Sequence, residues 1–294
     1  VPCSGEVEAQ RRRWTFYETI NFPPPEVSAK MGKNISWPCM PLYKTKAIVL
    51  RSTPYAEADR IVSLYTLEFG KIRGIAKGAK RSQKRFGNAL EIGSYVSASF
   101  FERETSELVR LNHCDLIRSF KGLREDIKKL AWASYLIELI NEMTGERIQN
   151  KALFRLLLFF LHLIDRESFR EEVLRVFEIR LFSLLGYQPQ FNACRRCQKG
   201  LSEEKIHFSA REGGVICSSC AGGLPGLIPI SLGTIKTLRL AQTLPLEKVG
   251  RISFSLQSLK ESEAALSHFL SQYLGKDLKS KRFLAQLSRC EAPS

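Results

Sequence analysis

The sequence predicts a multidomain α+β protein: a small, OB-like N-terminal β-barrel, then a helical domain interrupted by an inserted cysteine hairpin. Three observations predict it. Apolar residues alternate with a period of about two from Leu42 to Ile117, and with a period of about 3.6 after Phe120. Turn residues cut the first stretch into five short runs. Two matched cysteine pairs, Cys194/Cys197 and Cys217/Cys220, stand within the helical stretch.

Residues 1–41 are set apart from the rest. The Arg11, Arg12, Arg13 triplet, the Pro23, Pro24, Pro25 run and the lack of sustained periodicity predict a disordered extension. Met40, just before the first patterned segment, is a candidate start. From Leu42 the strand signals follow in order: Thr45 to Leu50, Asp59 to Thr66, Gly70 to Lys77, Ser94 to Phe101 and Glu107 to Ile117. Five short strands in this span predict a small barrel over 42–119, with an OB-like barrel the natural candidate and an SH3-like one giving a similar pattern.

The helical domain, 120–290, begins with a stripe of Ile127, Leu130, Ile137 and Ile140. A second stripe runs Leu153, Leu156, Leu157, Phe160, Leu161, Ile164, and a third runs Val173, Val176, Phe177, Leu181, Leu184, with Gly186 as its C-cap. Beyond the cysteine insertion (191–224) a helix start is expected at Ser231, and Leu259, Leu266, Phe269, Leu270 and Tyr273 mark a last amphipathic stretch.

The insertion reads C-x2-C-x19-C-x2-C. Each C-x-x-C turn lets two thiolates converge on one ion, and a second turn brought across a short hairpin completes a tetrahedron. Lys205 to Ser209, a turn at Glu212, Gly213, Gly214, and Val215, Ile216 supply such a hairpin. The pattern predicts zinc held by Cys194, Cys197, Cys217 and Cys220, structural because four thiolates leave no open position. Two disulfides, or four unrelated buried cysteines, are the alternatives, and neither predicts matched pairs at this spacing. His207, between the pairs, reads as a strand residue. The other cysteines, Cys3, Cys39, Cys114 and Cys290, are scattered, as in a protein of a reducing compartment.

The 294 residues carry a net charge of +15, a balance that favours a polyanionic partner, with nucleic acid ahead of an acidic membrane surface. Between Lys44 and Arg85 eleven basic residues face only Glu57, Asp59 and Glu68. The densest part, Lys71, Arg73, Lys77, Lys80, Arg81, Lys84 and Arg85, ends at Phe86. Lys71 and Arg73 fall on the third expected strand, and Lys77 to Gly87 is expected as a flexible cationic loop whose lysines and arginines meet phosphates while Phe86 stacks on a base; a loop kept basic for solubility is the alternative. A smaller cluster, Lys276, Lys279, Lys281, Arg282 and Arg289, either extends this footprint or caps a helix end.

No secretory signal is visible, and the apolar run from Leu156 to Ile164, broken by His162, is far shorter than the ~20 residues that span a bilayer. A cytoplasmic protein is expected. There is no P-loop, G-x-G-x-x-G, H-E-x-x-H, nucleophile elbow or zinc-deaminase signature. None of His113, His162, His207 and His268 has a neighbouring group spaced for general-base work, so no enzyme chemistry is expected.

The order of these parts resembles a known family. Tyr43 to Ser52, Tyr55 to Arg60, Gly70 to Arg81 and Phe86 to Glu91, with the cysteine pattern further on, are similar to the bacterial recombination mediator family RecO over about residues 42–290. The resemblance implies an OB-fold, a helical C-terminal domain, and binding of single- and double-stranded DNA. It also implies strand annealing and assistance, in the RecF-type pathway of DNA repair, to loading of RecA onto DNA coated by single-strand-binding protein, together with RecR. A nucleoid-associated location in the cytoplasm goes with this. Residues 1–40 lie outside the resemblance, and some relatives lack the cysteines. A zinc-containing nucleic-acid enzyme and a zinc-ribbon RNA-binding or transcription factor are the competing readings.

Overall fold

Ala47, Ile48, Val49 and Leu50 are four consecutive buried residues in strand β1 (Leu42–Tyr55). Successive side chains of a strand point to opposite faces, so an unbroken buried run means that both faces are covered. Ala47 and Val49 point into a barrel core with Val62, Leu64, Ile72, Val96 and Phe100. Ile48 and Leu50 point outward into a second core shared with the helices. The computed structural model describes residues 41–102, 106–166, 170–201 and 205–290; the extension expected over 1–41 falls, Pro41 apart, outside the described residues.

The barrel is closed in the order β1-β2-β3-β5-β4, with β2 (Asp59–Thr66), β3 (Gly70–Ala76), β4 (Tyr95–Phe101) and β5 (Val109–Arg118). All contacts are antiparallel except β3 with β5, where Gly74 pairs with Val109 in parallel, and β1 closes the ring against β4. This is the OB-like order, which decides between the two barrels expected from the pattern.

Helices α1 (Gly122–Glu125), α2 (Ile127–Met143), α3 (Lys151–Arg166) and α4 (Glu171–Leu184) follow. Asp126 caps α2 by accepting from the backbone of Lys128 and Lys129. Gly186, in a left-handed conformation at φ +84°, follows the end of α4. The stripe expected on α2 is half wrong. Ile127 and Leu130 are 59% and 44% exposed, whereas Ala131, Tyr135, Leu136, Leu139 and Ile140 are buried. The helix is apolar over much of its circumference, so isoleucine spacing alone did not select the packed face. The remaining elements are β6 (Ile206–Ser209), β7 (Gly214–Cys217), α5 (Ser218–Ala221), β8 (Leu227–Ile230), α6 (Leu232–Thr243), a 3-10 turn (Leu246–Arg251), α7 (Leu256–Leu274) and α8 (Lys279–Cys290). Ser231 caps α6 as the sequence predicts. Glu138 of α2 caps α8 by accepting from the backbone of Lys279 and Ser280.

Barrel and helices are joined by ring packing and by polar contacts. Tyr65 and Tyr95 pack on Phe154 of α3 at ring separations of 6.5 and 6.3 Å. Arg118 pairs with Asp165 at 3.1 Å. The Arg147 amide donates to the Lys71 carbonyl at 2.9 Å, and Lys71 Nζ donates to the Asn141 carbonyl at 2.7 Å. Gly70 makes this approach possible: its φ is +66°, and a Cβ there would lie 2.2 Å from the Ile148 carbonyl oxygen. Gly70→Ala is therefore expected to cost clearly more than the ~1–2 kcal/mol of a left-handed alanine alone. Gly186→Ala, where a Cβ meets nothing within 4 Å, isolates that backbone cost. Denaturant unfolding of the two variants checks this; equal losses would contradict the close docking.

Candidate metal centre and nucleic-acid interface

The first cysteine turn is closed by the Gln198 amide donating to the Cys194 carbonyl at 2.9 Å and the Cys194 amide donating to the Lys199 carbonyl at 3.0 Å. It docks on the β6–β7 hairpin, where the Arg195 amide donates to Val215 and the Val215 amide to Gln190, at 2.9 and 3.0 Å. Gly214 permits that contact, since a Cβ would sit 2.4 Å from the Gln190 carbonyl oxygen. Cys217 ends β7, and Cys220 lies one turn on in α5, so its sulfur swings back toward the hairpin.

The four sulfurs all lie within 4.8 Å of one another, with Cys197 and Cys217 at 3.7 Å. A disulfide would need about 2.05 Å, and the four cysteines are free thiols. A tetrahedron with metal–sulfur bonds of about 2.3 Å has edges of about 3.8 Å, so the quartet matches the edge of a four-thiolate metal site. Paired disulfides and unrelated buried cysteines do not fit. Burial opposes ionisation of Cys194, but backbone amides of Cys197, Cys217 and Arg196 point at its sulfur and bring its pKa down to about 6. Sharing of its proton with the Cys217 sulfur, then burial, push Cys220 up to about 12. Among the described residues His207 is not part of the cluster; it lies on β6, as expected.

The basic segment after β3 is ordered by its own contacts. The Gly78 amide donates to Asp59 Oδ1 at 2.8 Å, and Lys80 Nζ donates to the Glu57 carbonyl at 2.9 Å. Arg85 donates to the Lys77 carbonyl at 2.7 Å and to Ser82 Oγ at 3.0 Å, so its guanidinium braces the loop. Phe86 was expected to stack on a base, but it is 2% exposed and plugs the barrel core with Ala89 and Leu90. The Arg85 guanidinium lies 5.0 Å over its ring, leaving no face for a nucleotide. Lys71 sits in the barrel–helix junction; burial lowers its ammonium pKa against the pull of Glu146 and Glu142. Lys77, Lys80, Arg81 and Lys84 remain exposed at the surface, Arg81 3.9 Å from Glu57.

The structure also resolves which face β3 offers. Arg51, Ser63 and Arg73 stand side by side across β1, β2 and β3, with Thr53, Ile61 and Ile75 in the next row. Lys71 and Arg73 share this outer face. Together with Asn141, Glu142 and Glu146 these strands line a cleft of about 430 Å³, with Arg73 3.9 Å from Glu146. Arg51 was missed as a site residue because β1 bulges between Val49 and Arg51. An unbroken alternation would aim Arg51 into the barrel with Val49; the extra residue turns it out. A second difference concerns His113, which pairs with Asp115 at 2.7 Å on the outer face of β5, while Cys114 points into the core. Two residues apart on a strand means the same face, so this pair was legible from the spacing.

The fold and its sites define a class: an OB-like barrel with a cationic strand face, joined to a helical domain that carries a four-cysteine cluster. Residues 40–120 match Recombination protein O N terminal, and residues 124–282 match Recombination protein O C terminal. The chain is 39% identical over 250 residues to the DNA repair protein RecO of Syntrophus aciditrophicus, covering 84% of this chain and 96% of that one. It is 36% identical over 244 residues to the DNA repair protein RecO of Anaeromyxobacter sp. strain K, covering 83% and 96% of the two chains. To that of Bacillus pumilus it is 33% identical over 246 residues, covering 84% and 94%. The chain belongs to the RecO family of DNA repair proteins. No helix among the described residues is long and apolar enough to cross a membrane.

The placement of Phe86 carries its own expectation. Phe86→Ala should lower stability by about 3–5 kcal/mol, as for a large ring deleted from a core. Chemical denaturation reads this out; a variant of parental stability with weakened DNA binding would return Phe86 to the surface role.

Proposed function

We propose that the protein is a non-enzymatic DNA-binding mediator of recombinational repair. It holds single- and double-stranded DNA, anneals complementary strands and, in the RecF-type pathway, helps RecA onto single strands coated by single-strand-binding protein, acting with RecR at the nucleoid in the cytoplasm. The observation that carries this reading is the Arg51–Ser63–Arg73 row on the outer face of an OB-like barrel in a RecO-family chain. OB-folds bind oligonucleotides on the strand 2–3 face and the loops beside it. Lys77, Lys80, Arg81 and Lys84 extend the positive charge from the end of β3. Two complementary strands repel through their phosphates; neutralising some of them lets base pairing proceed, and no bond is made or broken. Annealing therefore asks for cations and not for a nucleophile or general base.

If Arg51, Arg73, Lys77 and Lys84 engage phosphates, each contributes roughly −0.7 to the slope of log affinity against log salt for single strands. Changing all four to alanine should flatten that slope by about 3 and slow annealing measured without nucleotide. Parental binding at low and moderate salt would sink this face as the site. Strand cleavage or base modification in the same assay would favour the enzyme reading instead.

We further propose that the cysteine quartet holds one zinc ion, which the 3.7 Å sulfur edge and the amides aimed at Cys194 support. When bound, zinc supplies a structural cross-link and no catalytic position. The residues around it do the folding work: Gly214 and Arg195 lock the first turn to the hairpin, and Phe191, Phe208 and Phe269, at ring separations of 5.9 Å, tie the unit to the helical core. Elemental analysis of freshly reduced protein should find about one zinc per chain, and Cys194→Ser or Cys217→Ser should give insoluble or early-melting protein. Zinc-free parent protein, or unchanged melting of the quadruple serine variant, would contradict it.

A further inference from the structure

Among the described residues most large aromatic side chains are buried, yet two rings are left in contact at the surface. Tyr187 follows Gly186 at the end of α4, and Tyr273 occupies the last turn of α7; each is 42% exposed. Their ring centroids are 4.3 Å apart with planes tilted by 41°, and Phe269 backs Tyr273 at 4.9 Å. The pair is therefore held from below and open above. It also lies near the cationic cleft. Lys276, three residues beyond Tyr273, bonds Glu142 at 2.5 Å, and Glu142 lines the cleft that holds Arg51 and Arg73.

The electrostatics of this end of the bundle narrow down what it can take. The C-termini of α2, α4 and α7 gather here: Lys276 joins α7 to Glu142 near the end of α2, and the tyrosine pair joins α7 to α4. Helix C-termini carry partial negative charge, which disfavours phosphate. A flat neutral group suits the site, and an unpaired base is such a group. Every base has a π-face, so stacking on an aromatic ring is tolerant of sequence. Bases within a duplex are already stacked and cannot reach it.

We infer that Tyr187 and Tyr273 form a stacking platform for unpaired bases of a single strand whose phosphates lie on the Arg51–Arg73 face. The inference rests on the DNA-binding reading above and deepens it by giving the protein a means to prefer single strands over duplex.

The test is fluorescence anisotropy with a labelled oligothymidylate of about 30 nucleotides, and a duplex of the same length, titrated at two salt concentrations. Tyr187→Leu/Tyr273→Leu keeps apolar bulk and removes both π-faces; Tyr187→Phe/Tyr273→Phe keeps the rings. The leucine pair should lose about tenfold or more in single-strand affinity with an unchanged salt slope and unchanged duplex binding. The phenylalanine pair should bind as the parent does. If the leucine pair does not fold, Tyr187→Leu alone decides, by the same readout. Parental single-strand affinity, or equal losses on both DNAs, overturns the platform. Arg51→Ala/Arg73→Ala separates the two readings. If it loses affinity while the leucine pair does not, only the platform falls; if neither loses affinity, the barrel face falls with it.

Discussion

The covering of β1 on both faces is the constraint on which the rest of the structure depends. Ala47 and Val49 close the barrel core while Ile48 and Leu50, on the same strand, belong to the helical core. Neither core can be repacked without moving the other. Polar contacts follow the same boundary, from Arg118–Asp165 to Lys71 and Arg147 beside Gly70. The bulge after Val49 marks where this burial stops. Before it, outward side chains meet helices; after it, Arg51 and Thr53 line an open cleft. One inserted residue thus converts a strand that joins two domains into a strand that presents a cation to an open cleft.

The cysteine insertion shows a different way of holding a small structure. β6, β7 and β8 are each only four residues long, too short to stand alone as a sheet. Their order comes from two sources: the sulfur cluster at one end, and the Phe191–Phe208–Phe269 contacts that lead into the helical core. The basic residues inside the first knuckle are partly committed as well, since Arg196 pairs with Glu212 at 2.9 Å and Arg195 donates to the Glu212 carbonyl at 3.1 Å. A short hairpin of this kind offsets its small hydrophobic area with the clustered cysteines and local ion pairing.

Much of this was legible in the sequence where the physics is local. Alternation located the five strands, the cysteine spacing identified the quartet, and Ser231 and Gly186 marked a helix start and a helix end through their own backbone chemistry. Three features were not legible, because composition and spacing do not say which group a side chain will meet once the chain is folded. Charge counting makes Arg85 and Lys71 look like ligands for phosphate, but their hydrogen bonds go to Lys77, Ser82 and Asn141. An aromatic at the edge of a basic loop is expected to be exposed, whereas Phe86 fills the barrel mouth. Period-two reading turns Arg51 inward, because a bulge leaves no mark on composition. The ion pair of Arg175 and Glu178 at 3.0 Å, with the Tyr135 phenol donating to Glu178, is of the same kind. Its members are buried among α2 and α4, and Glu178 sits on a helix whose acidic residues otherwise look like a solvated face.

These structural commitments bear on how DNA would be recognised. Subtracting the cations used to brace the loop and the junction leaves a modest set, Arg51 and Arg73 on the strands and Lys77, Arg81 and Lys84 beyond them. They are exposed, so their pull on phosphate is screened by salt and is indifferent to base identity. Lysine and arginine on phosphate fix position along a strand without reading sequence, and an aromatic face adds preference for unpaired bases without adding sequence preference. The annealing role proposed above would use that combination: binding weak enough per contact to be released as pairing proceeds, and blind to sequence because the features it meets are common to every strand.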